Sequence, residues 1–382
     1  MPTPIQFRER LGKTAFAFRG YNVTNLGRTQ ELLAHPAYGP TVKRHLMEAA
    51  EVYAATLDSP LDLVTRVREG RESTLETFAE DIALIVAAEV AQIRLLQEFF
   101  DVDYGKARLA LGYSLGEMSA LVCGGVYTMR DALPPLLLLA GDSVELARDV
   151  TMGVIFTRGG ELDADAVARL CLEINRQGRG VISISAYLSP NTVLVLGQRD
   201  TVERLRRALP DALAVPAFVR TNQHRWPPLH SSILWERNIP NRAATMMHTL
   251  PGGRTAPRPP VLSLVTGKTS YNDYNSRELL GRWIDHPQRL WDVIYETLSS
   301  GIDAMIHVGP EANLIPATYK RLSDNVRQQL AGRSINKLGL RAISGMVRRP
   351  WLGKLLSSRT ALLRAPFVEH VMLEDWLLEQ EV

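Results

Sequence analysis

Residues 107–125 read ARLALGYSLGEMSALVCGG, and three local patterns follow one another in this stretch. A short apolar strand runs into a tight turn at Gly112–Gly116, and a helix rich in small residues comes next. This is the context that a GxSxG nucleophile elbow requires, because the two glycines leave room for a turn so sharp that it lifts the serine hydroxyl clear of the sheet. The stretch therefore predicts an α/β fold with Ser114 as a candidate nucleophile.

The flanking segments extend the α/β pattern in both directions. Thr14–Phe18 is an apolar strand candidate that ends in a polar glycine turn, and residues 40–100 show helical spacing of apolar positions. Pro134 and Pro135 interrupt the second predicted helix after the elbow, in DALPPLLLLAGDSVELARD, so that helix should start or kink there. From Pro260 onward, PVLSLVT and DAMIHVGP read as further strands. We expect a large α/β-hydrolase-like domain with a parallel sheet.

A different pattern begins near Met152. Short strands and amphipathic helices follow in the order β-α-β-β-α, which is typical of a ferredoxin-like insert. The predicted organisation is a discontinuous large domain, a small inserted α+β subdomain and a basic helical C-terminal extension. Their boundaries are 1–150 with 216–335, 151–215, and 336–382.

Composition places the chain among ordinary globular proteins. Of its 382 residues, 46% are hydrophobic and 22% are charged, which excludes long disorder and fibrous repeats. Cys123 and Cys171 are the two cysteines, and neither has CxxC or metal-ligand spacing, so a reducing cytoplasm is favoured. The N-terminus carries charges where a signal peptide needs an apolar run, and no uncharged run reaches membrane-spanning length. We expect a cytoplasmic protein.

The small net charge of +3 is unevenly distributed. Between Asp324 and Glu369 the sequence has no acidic residue, while basic residues accumulate. They are Arg327, Arg333, Lys337, Arg341, Arg348, Arg349, Lys354, Arg359 and Arg364. This pattern indicates a docking surface for an acidic protein or for an anionic membrane face, or else a solvated basic helix. Nucleic acid is disfavoured because the basic tail lacks a series of aromatic residues interleaved with the basic ones to stack on bases, and no recognised reader motif occurs.

A serine hydroxyl is a weak nucleophile at neutral pH and needs a base within hydrogen-bond reach. Eight histidines are available. His230 follows a proline-stiffened loop in PPLHSSI, and His307 lies inside a predicted strand. The residues alone rank these two nearly equal as the base.

Five sequence blocks, in the same order, resemble the malonyl-CoA:acyl carrier protein transacylase family, the acyltransferases of fatty acid and polyketide synthesis. GYSLGEMSALVCGGV is similar to the family's GHSLGE block with its helix, and FAFRGYNVTNLG to its strand and GQGSQ turn. YLSPNTVLVLG is similar to the NSPxQxVxxG hairpin, PPLHSSIL to the catalytic-histidine loop, and HVGPEANL to the EVGPGxxL strand end. The resemblance runs from about residue 14 to residue 323.

The resemblance implies roles for five positions. Ser114 is the nucleophile and His230 is the general base. The backbone N–H groups of Leu115 and Tyr21 form the oxyanion hole, and because both donors are main chain, tyrosine in place of the family's glutamine need not remove them. The backbone carbonyl of Trp283, rather than a carboxylate, orients the histidine.

The resemblance also implies the reaction and its partners. An acyl group passes from acyl-CoA to the serine and then to the phosphopantetheine thiol of an acyl carrier protein. No metal and no redox cofactor is needed. Because the expected carrier protein is acidic, the basic extension is a predicted docking site for it.

One departure from the family concerns the acyl group. Malonyl enzymes of the family hold the free carboxylate with an arginine on the helix after the nucleophile. Ungapped counting places that position at Leu139, or at Ala140 with a shift of one, and neither residue is charged. A carboxylate there would be desolvated and unpaired, so we expect an uncharged acyl group, acetyl or longer. The alternative is that another arginine, such as Arg148 or Arg220, reaches the carboxylate.

Further departures lie close to the predicted acyl pocket. A tyrosine replaces the family's histidine before the serine, and an alanine and a leucine replace the asparagines of the hairpin block. The residues predicted to line the acyl pocket are Tyr113, Leu139, Ala140, Ala186, Leu188 and Leu229.

Four other functions remain open from the sequence. An acyl-thioester hydrolase would use the same serine and histidine if water reached the intermediate. An ordinary α/β-hydrolase would use a late histidine such as His307. A patatin-like lipase usually needs an Asp-Gly pair, which the sequence lacks. A degenerate, non-catalytic scaffold fits the altered pocket, but both Ser114 and His230 are retained.

Overall fold

The computed structural model describes residues 3–334, 355 and 359–382, and within them ten strands form two sheets. The strands are β1 (Thr14–Phe18), β2 (Leu109–Gly112), β3 (Val150–Thr157), β4 (Ile182–Ser189), β5 (Thr192–Gln198), β6 (Ala217–Thr221), β7 (Val261–Ser263), β8 (Lys268–Thr269), β9 (Ala304–Val308) and β10 (Glu369–Met372). The larger sheet has the order β10-β9-β1-β2-β7-β8, in which the first five strands are parallel and β8 is antiparallel to β7.

Helices pack against both sheets. Those of the described residues are α1 (Pro4–Glu9), α2 (Thr29–Ala34), α3 (Gly39–Leu57), α4 (Leu63–Arg68), α5 (Phe78–Phe100), α6 (Leu115–Cys123), α7 (Met129–Ala147), α8 (Ala164–Asn175), α9 (Thr201–Ala212), α10 (Ile239–Thr249), α11 (Ser276–Trp283), α12 (Leu290–Ser299), α13 (Leu314–Ser334) and α14 (Leu373–Leu378). No helix among these residues is both long and apolar enough to cross a bilayer.

The central strand β1 shows why the sheet needs cover on both faces. Its five residues are all buried, and successive side chains of a strand point to opposite faces. Phe16 and Phe18 pack with residues of α3, α5 and α7, whereas Ala15 and Ala17 pack with residues of α12 and α13. The protein is therefore a mixed α/β fold with a buried, mainly parallel sheet.

The helix that contains Pro134 and Pro135 starts earlier than predicted. α7 begins at Met129, so Pro134 and Pro135 lie inside it. The start is fixed by a capping box, in which Thr128 Oγ1 accepts the Asp131 N–H at 3.2 Å and the Asp131 carboxylate accepts the Thr128 N–H at 3.3 Å. Of the two expectations for the prolines, a helix start is therefore wrong, and a kink within the helix stays a prediction.

The smaller sheet is antiparallel throughout, with the strand order β4-β5-β3-β6. With α8 and α9 packed on it, the chain order is β-α-β-β-α-β, which is the ferredoxin-like arrangement. Ala217–Thr221 was predicted to belong to the large domain, but it pairs with β3 and completes the smaller sheet. No residue of this edge strand is fully buried, so its sequence does not show which sheet it joins.

The described part of the C-terminal extension contains a strand as well as a helix. Glu369–Met372 pairs in parallel with β9 and forms one edge of the larger sheet. Trp376 in α14 is fully buried, and its ring centroid lies 5.1 Å from that of Phe7 in α1. The prediction of a purely helical extension is therefore wrong for this part, since EHVM is too short and polar to read as a strand.

Two of the basic residues in this region pack against the protein itself. The Arg359 guanidinium lies over the Tyr295 ring at 4.8 Å, and Arg364 forms an ion pair with Asp303 at 3.2 Å. Lys337, Arg341, Arg348, Arg349 and Lys354 lie outside the described residues.

Candidate active site

The turn between β2 and α6 has the geometry of a nucleophile elbow. Ser114 has φ 53° and ψ −120°, a backbone conformation that is strained for a residue with a side chain. A Cβ on Gly112 would overlap the backbone of Gly116, and a Cβ on Gly116 would overlap the backbone carbonyls of Phe18 and Arg19. Glycine is therefore required on both sides of the serine, because backbone segments touch there directly.

Ser114 and His230 are brought together at this turn. The serine Oγ lies 2.7 Å from His230 Nε2, and His230 Nδ1 lies 2.7 Å from the backbone oxygen of Trp283. The backbone N–H of His230 also donates to the Ile284 carbonyl at 2.8 Å. With the Nδ1 proton donated to Trp283, Nε2 presents a lone pair to the serine hydroxyl, which is the arrangement that a general base needs.

The loop after β1 lies directly against the elbow. A Cβ on Gly20 would be 2.6 Å from the Tyr113 carbonyl oxygen and 3.3 Å from the Ser114 Cβ, so the chain at Tyr21 passes beside the serine. Leu115 is the first residue of α6, where backbone N–H groups have no acceptor within the helix. These positions fit the predicted oxyanion donors, Tyr21 N–H and Leu115 N–H.

Arg19 holds this loop in place. Its Nε donates to the Gly20 carbonyl at 2.8 Å and its Nη2 donates to the Thr24 carbonyl at 3.1 Å. Its backbone N–H donates to Glu89 Oε1 at 2.9 Å, and burial raises the pKa of this carboxyl group to about 8. The oxyanion loop is thus tied to α5 by buried polar contacts.

A narrow, mainly apolar cavity of about 20 Å³ lies next to Ser114. Leu139, Ala140 and Leu229 line it, as predicted for the acyl pocket. The other lining residues are Tyr21, Phe78, Ile82, Ser114, Leu115, Leu136, Ser143, Trp283 and Ile284. Since no lining residue is charged, the cavity offers no partner for a carboxylate.

Comparisons with known proteins give one consistent answer, although no protein-family model matches the chain. It is 27% identical to the malonyl CoA-acyl carrier protein transacylase of Haemophilus influenzae over 272 residues, which cover 69% of this chain and 80% of that protein. It is 26% identical to the transacylase of the same name from Escherichia coli K12 over 322 residues, covering 82% and 93%. The crystal structure of an acyl carrier protein S-malonyltransferase from Vibrio cholerae is 26% identical, covers 80% of this chain and 92% of that one, and superposes with a TM-score of 0.65.

In sequence and in fold, the chain is similar to malonyl-CoA:acyl carrier protein transacylases.

Three residues that were predicted to line the acyl pocket lie elsewhere. Tyr113 lines a different cavity, together with Arg19 and His307. Ala186 is fully buried and pairs with Gln288, and Leu188 packs with the cluster around α12. None of the three is among the residues that line the cavity at the serine.

The alternative carboxylate partners are also remote from that cavity. Arg148, at the end of α7, and Arg220, on β6, are both exposed, and neither lines the cavity. His307, the other candidate base, contacts His370 on the neighbouring strand β10. The distance between His307 Nε2 and His370 Nδ1 is 2.9 Å.

Gln288 is a site residue that the sequence analysis missed. It is fully buried, its Oε1 accepts the Ser114 N–H at 3.2 Å, and its Nε2 lies 3.1 Å from His230 Nδ1. A single glutamine in a loop has no sequence signature that would mark it as part of a site. Its position depends on tertiary pairing with β4.

Burial keeps the candidate base neutral. Burial lowers the pKa of His230 to about 4, and the hydrogen bond to Trp283 raises it only in part. The ring is therefore unprotonated at neutral pH and able to accept the serine proton.

The pH dependence of serine reactivity should follow from this pKa. We expect the rate of labelling of Ser114 by a fluorophosphonate to be flat from about pH 8 to about pH 5, and to fall about tenfold per pH unit below about pH 4, because protonation removes the base. Rates would be measured by intact-mass spectrometry, with circular dichroism to confirm that the protein stays folded. An acid limb centred near pH 6.5 would contradict a buried, neutral His230.

Proposed function

We propose that this protein transfers an acyl group from acyl-CoA to the phosphopantetheine thiol of an acyl carrier protein, through an acyl-enzyme on Ser114. The observation that supports it most is the 2.7 Å distance between Ser114 Oγ and His230 Nε2, with Nδ1 held by the Trp283 carbonyl. The names of the curated relatives supply the class of donor and acceptor.

Acylation begins with His230 taking the hydroxyl proton of Ser114 while Oγ bonds to the thioester carbon. The carbonyl electron pair moves onto its oxygen, which faces the N–H groups of Leu115 and Tyr21. Each such donor contributes about 3 kcal/mol in the transition state. When the carbonyl re-forms, the C–S bond breaks and His230 returns the proton to the departing thiolate of CoA.

Transfer to the carrier protein is the same path in reverse. His230 accepts the proton of the phosphopantetheine thiol, and the sulfur attacks the acyl-serine carbonyl. Collapse of the tetrahedral intermediate breaks the bond to Oγ, and the proton returns to Ser114. Every proton and electron pair is handled by the serine, the histidine and the two thiols, so neither metal nor redox chemistry enters the scheme.

An uncharged acyl group fits the cavity best. Leu139 is 3% exposed and Ala140 is 1% exposed, and both line the cavity at the positions where the resemblance places a carboxylate-binding arginine. A malonyl carboxylate there would lose its hydration without gaining a partner, at a cost of about 3 kcal/mol or more. We therefore propose acetyl or a longer, uncharged acyl chain as the group transferred.

Intact-mass spectrometry after exposure to acetyl-CoA, octanoyl-CoA and malonyl-CoA tests both parts of this proposal. We expect an acyl adduct from an uncharged donor, at a rate at least about a hundredfold above that from malonyl-CoA, as a difference of about 3 kcal/mol implies. A preference for malonyl-CoA would refute the uncharged acyl group, and the absence of any adduct would refute the acyl-enzyme.

Adding a phosphopantetheinylated carrier protein to the acylated enzyme then separates transfer from hydrolysis. Transfer moves the acyl mass to the carrier protein, whereas a thioester hydrolase releases free acid at the same rate with or without the carrier. Release of free acid alone would replace the transferase proposal with the hydrolase reading.

Leu139→Arg should shift acyl preference towards malonyl. A guanidinium in the cavity would pair with the malonyl carboxylate. With an apolar acyl chain bound, the same positive charge would be desolvated and unpaired. We expect the ratio of malonyl to octanoyl acylation rates to rise at least about tenfold. Leu138→Arg is the matched control, because Leu138 is exposed on the same helix and does not line the cavity. An equal change in both variants would contradict this role of position 139.

A further inference from the structure

The side-chain amide of Gln288 contacts both members of the serine-histidine pair. Its Oε1 accepts the backbone N–H of Ser114 at 3.2 Å, while its Nε2 lies 3.1 Å from Nδ1 of His230. On the other side of the elbow, the Ser114 carbonyl accepts the indole N–H of Trp283 at 3.2 Å. The strained residue is thus held at both of its backbone polar groups by buried side chains.

The small subdomain fixes the backbone from which this amide extends. The Gln288 N–H donates to the Ser185 carbonyl, and the Gln288 carbonyl accepts the Tyr187 N–H, each at 2.8 Å. Gln288 therefore pairs with β4 around Ala186. Because two backbone hydrogen bonds fix the start of the side chain, the amide reaches the elbow in a defined orientation.

We propose that Gln288 is a positioning residue that anchors the strained Ser114 backbone to β4 and thereby sets the distance between Ser114 Oγ and His230 Nε2. The inference rests on the proposed function, since it concerns the same acylation step. A residue at φ 53° relaxes unless its surroundings hold it, and Gln288 supplies one of the two side-chain hydrogen bonds to its backbone.

Charged side chains near Gln288 are engaged elsewhere. Arg289 pairs with Asp292 at 2.7 Å, and Asp285 accepts the indole N–H of Trp235 at 2.9 Å. Burial and the Trp283 hydrogen bond set the pKa of His230, with no contribution from a charged group. A carboxylate introduced at position 288 would therefore place a negative charge next to His230 Nδ1, which faces no charged group among the described residues.

Gln288→Met tests the anchor, because methionine keeps the side-chain length and removes both polar atoms. We expect kcat/KM for the acyl donor to fall roughly tenfold to a hundredfold with KM within about twofold, since a buried N–H loses its acceptor. Gln198→Met is the matched control. Gln198 is also a buried glutamine whose Oε1 accepts a backbone N–H, that of Val181 at 2.9 Å, but it lies on β5. We expect this control within about twofold of the wild type.

Gln288→Glu supplies a readout that a purely structural role would not move. Its carboxylate still accepts the Ser114 N–H but now faces His230 Nδ1, where the negative charge favours the protonated ring. The acid limb of fluorophosphonate labelling should move to higher pH by about one unit or more. If the Gln288→Met protein does not fold, the shift of the acid limb in Gln288→Glu alone tests the proposal.

Either of two results would overturn the proposal: a Gln288→Met protein within about threefold of the wild type, or an unmoved acid limb in Gln288→Glu. The labelling reaction needs no acyl donor. A wild-type protein that reacts with the fluorophosphonate but with no acyl-CoA would refute the proposed function and leave the Gln288 comparison intact.

Discussion

Replacing Ser114 with alanine is expected to abolish the acyl adduct and to lower kcat/KM for acyl transfer by at least about 10⁴-fold. The hydroxyl is the only atom that the proposed chemistry acylates, and the residues that line the adjacent cavity include no second nucleophile next to His230. Acyl adducts would be followed by intact-mass spectrometry and located by peptide mapping. The fold should be unaffected, because the change removes one oxygen atom.

The dyad also predicts how substitutions combine. His230→Ala should cost about as much as Ser114→Ala, and the double variant should be no worse than either, because the two groups act as a unit. His307→Ala, judged per folded molecule, should retain transfer, since His307 is paired with His370 instead. Damage from His307→Ala with a functional His230→Ala protein would revive the ordinary α/β-hydrolase reading.

Replacing Gly112 with alanine is expected to be the most damaging substitution outside the dyad. Its Cβ would overlap the backbone of Gly116 and Glu117, which cannot move without disrupting the start of α6. We expect stability to fall by about 3 kcal/mol or more and acylation by at least about a hundredfold, because the elbow must open to admit the methyl group. Thermal unfolding and acylation rates would be measured together.

Gly141→Ala provides the matched control for this substitution. A Cβ on Gly141 meets nothing within 4 Å, and the residue is exposed on α7. Alanine should therefore stabilise the helix by about 0.5–1 kcal/mol and leave acylation unchanged. Equal tolerance of alanine at both positions would contradict the close backbone packing at the elbow.

Local sequence patterns were enough to predict the elbow, but the positions of the residues around it depend on tertiary structure. The glycine spacing and the small-residue helix predicted the turn at Ser114, since that geometry depends on a few consecutive residues. The pairing with His230 came from resemblance, because the residues alone ranked His307 nearly equal. Gln288 could not be predicted, since its role arises where a loop pairs with a strand of another subdomain.

The pocket and the edge strands show the same limit. Ala186 and Leu188 lie on β4, and correspondence to a family block gave their place in the chain without showing what each side chain packs against. β6 and β10 are short edge strands in which only Val371 is buried, so hydrophobic patterning gave little sign of the sheet that either joins. The position of each of these residues and strands depends on the segment that lies beside it in the folded protein.

The contact between the first helix and the last has a consequence for biosynthesis. Phe7 packs on Trp376, and β10 lies against β9, so the edge of the larger sheet is completed by residues translated more than 350 positions after the first helix. While the ribosome is still elongating the chain, β9 has an open side and Phe7 lacks its contact with Trp376. Until residues 369–378 emerge, the nascent polypeptide therefore exposes a sheet edge of the kind that chaperones shield from other chains.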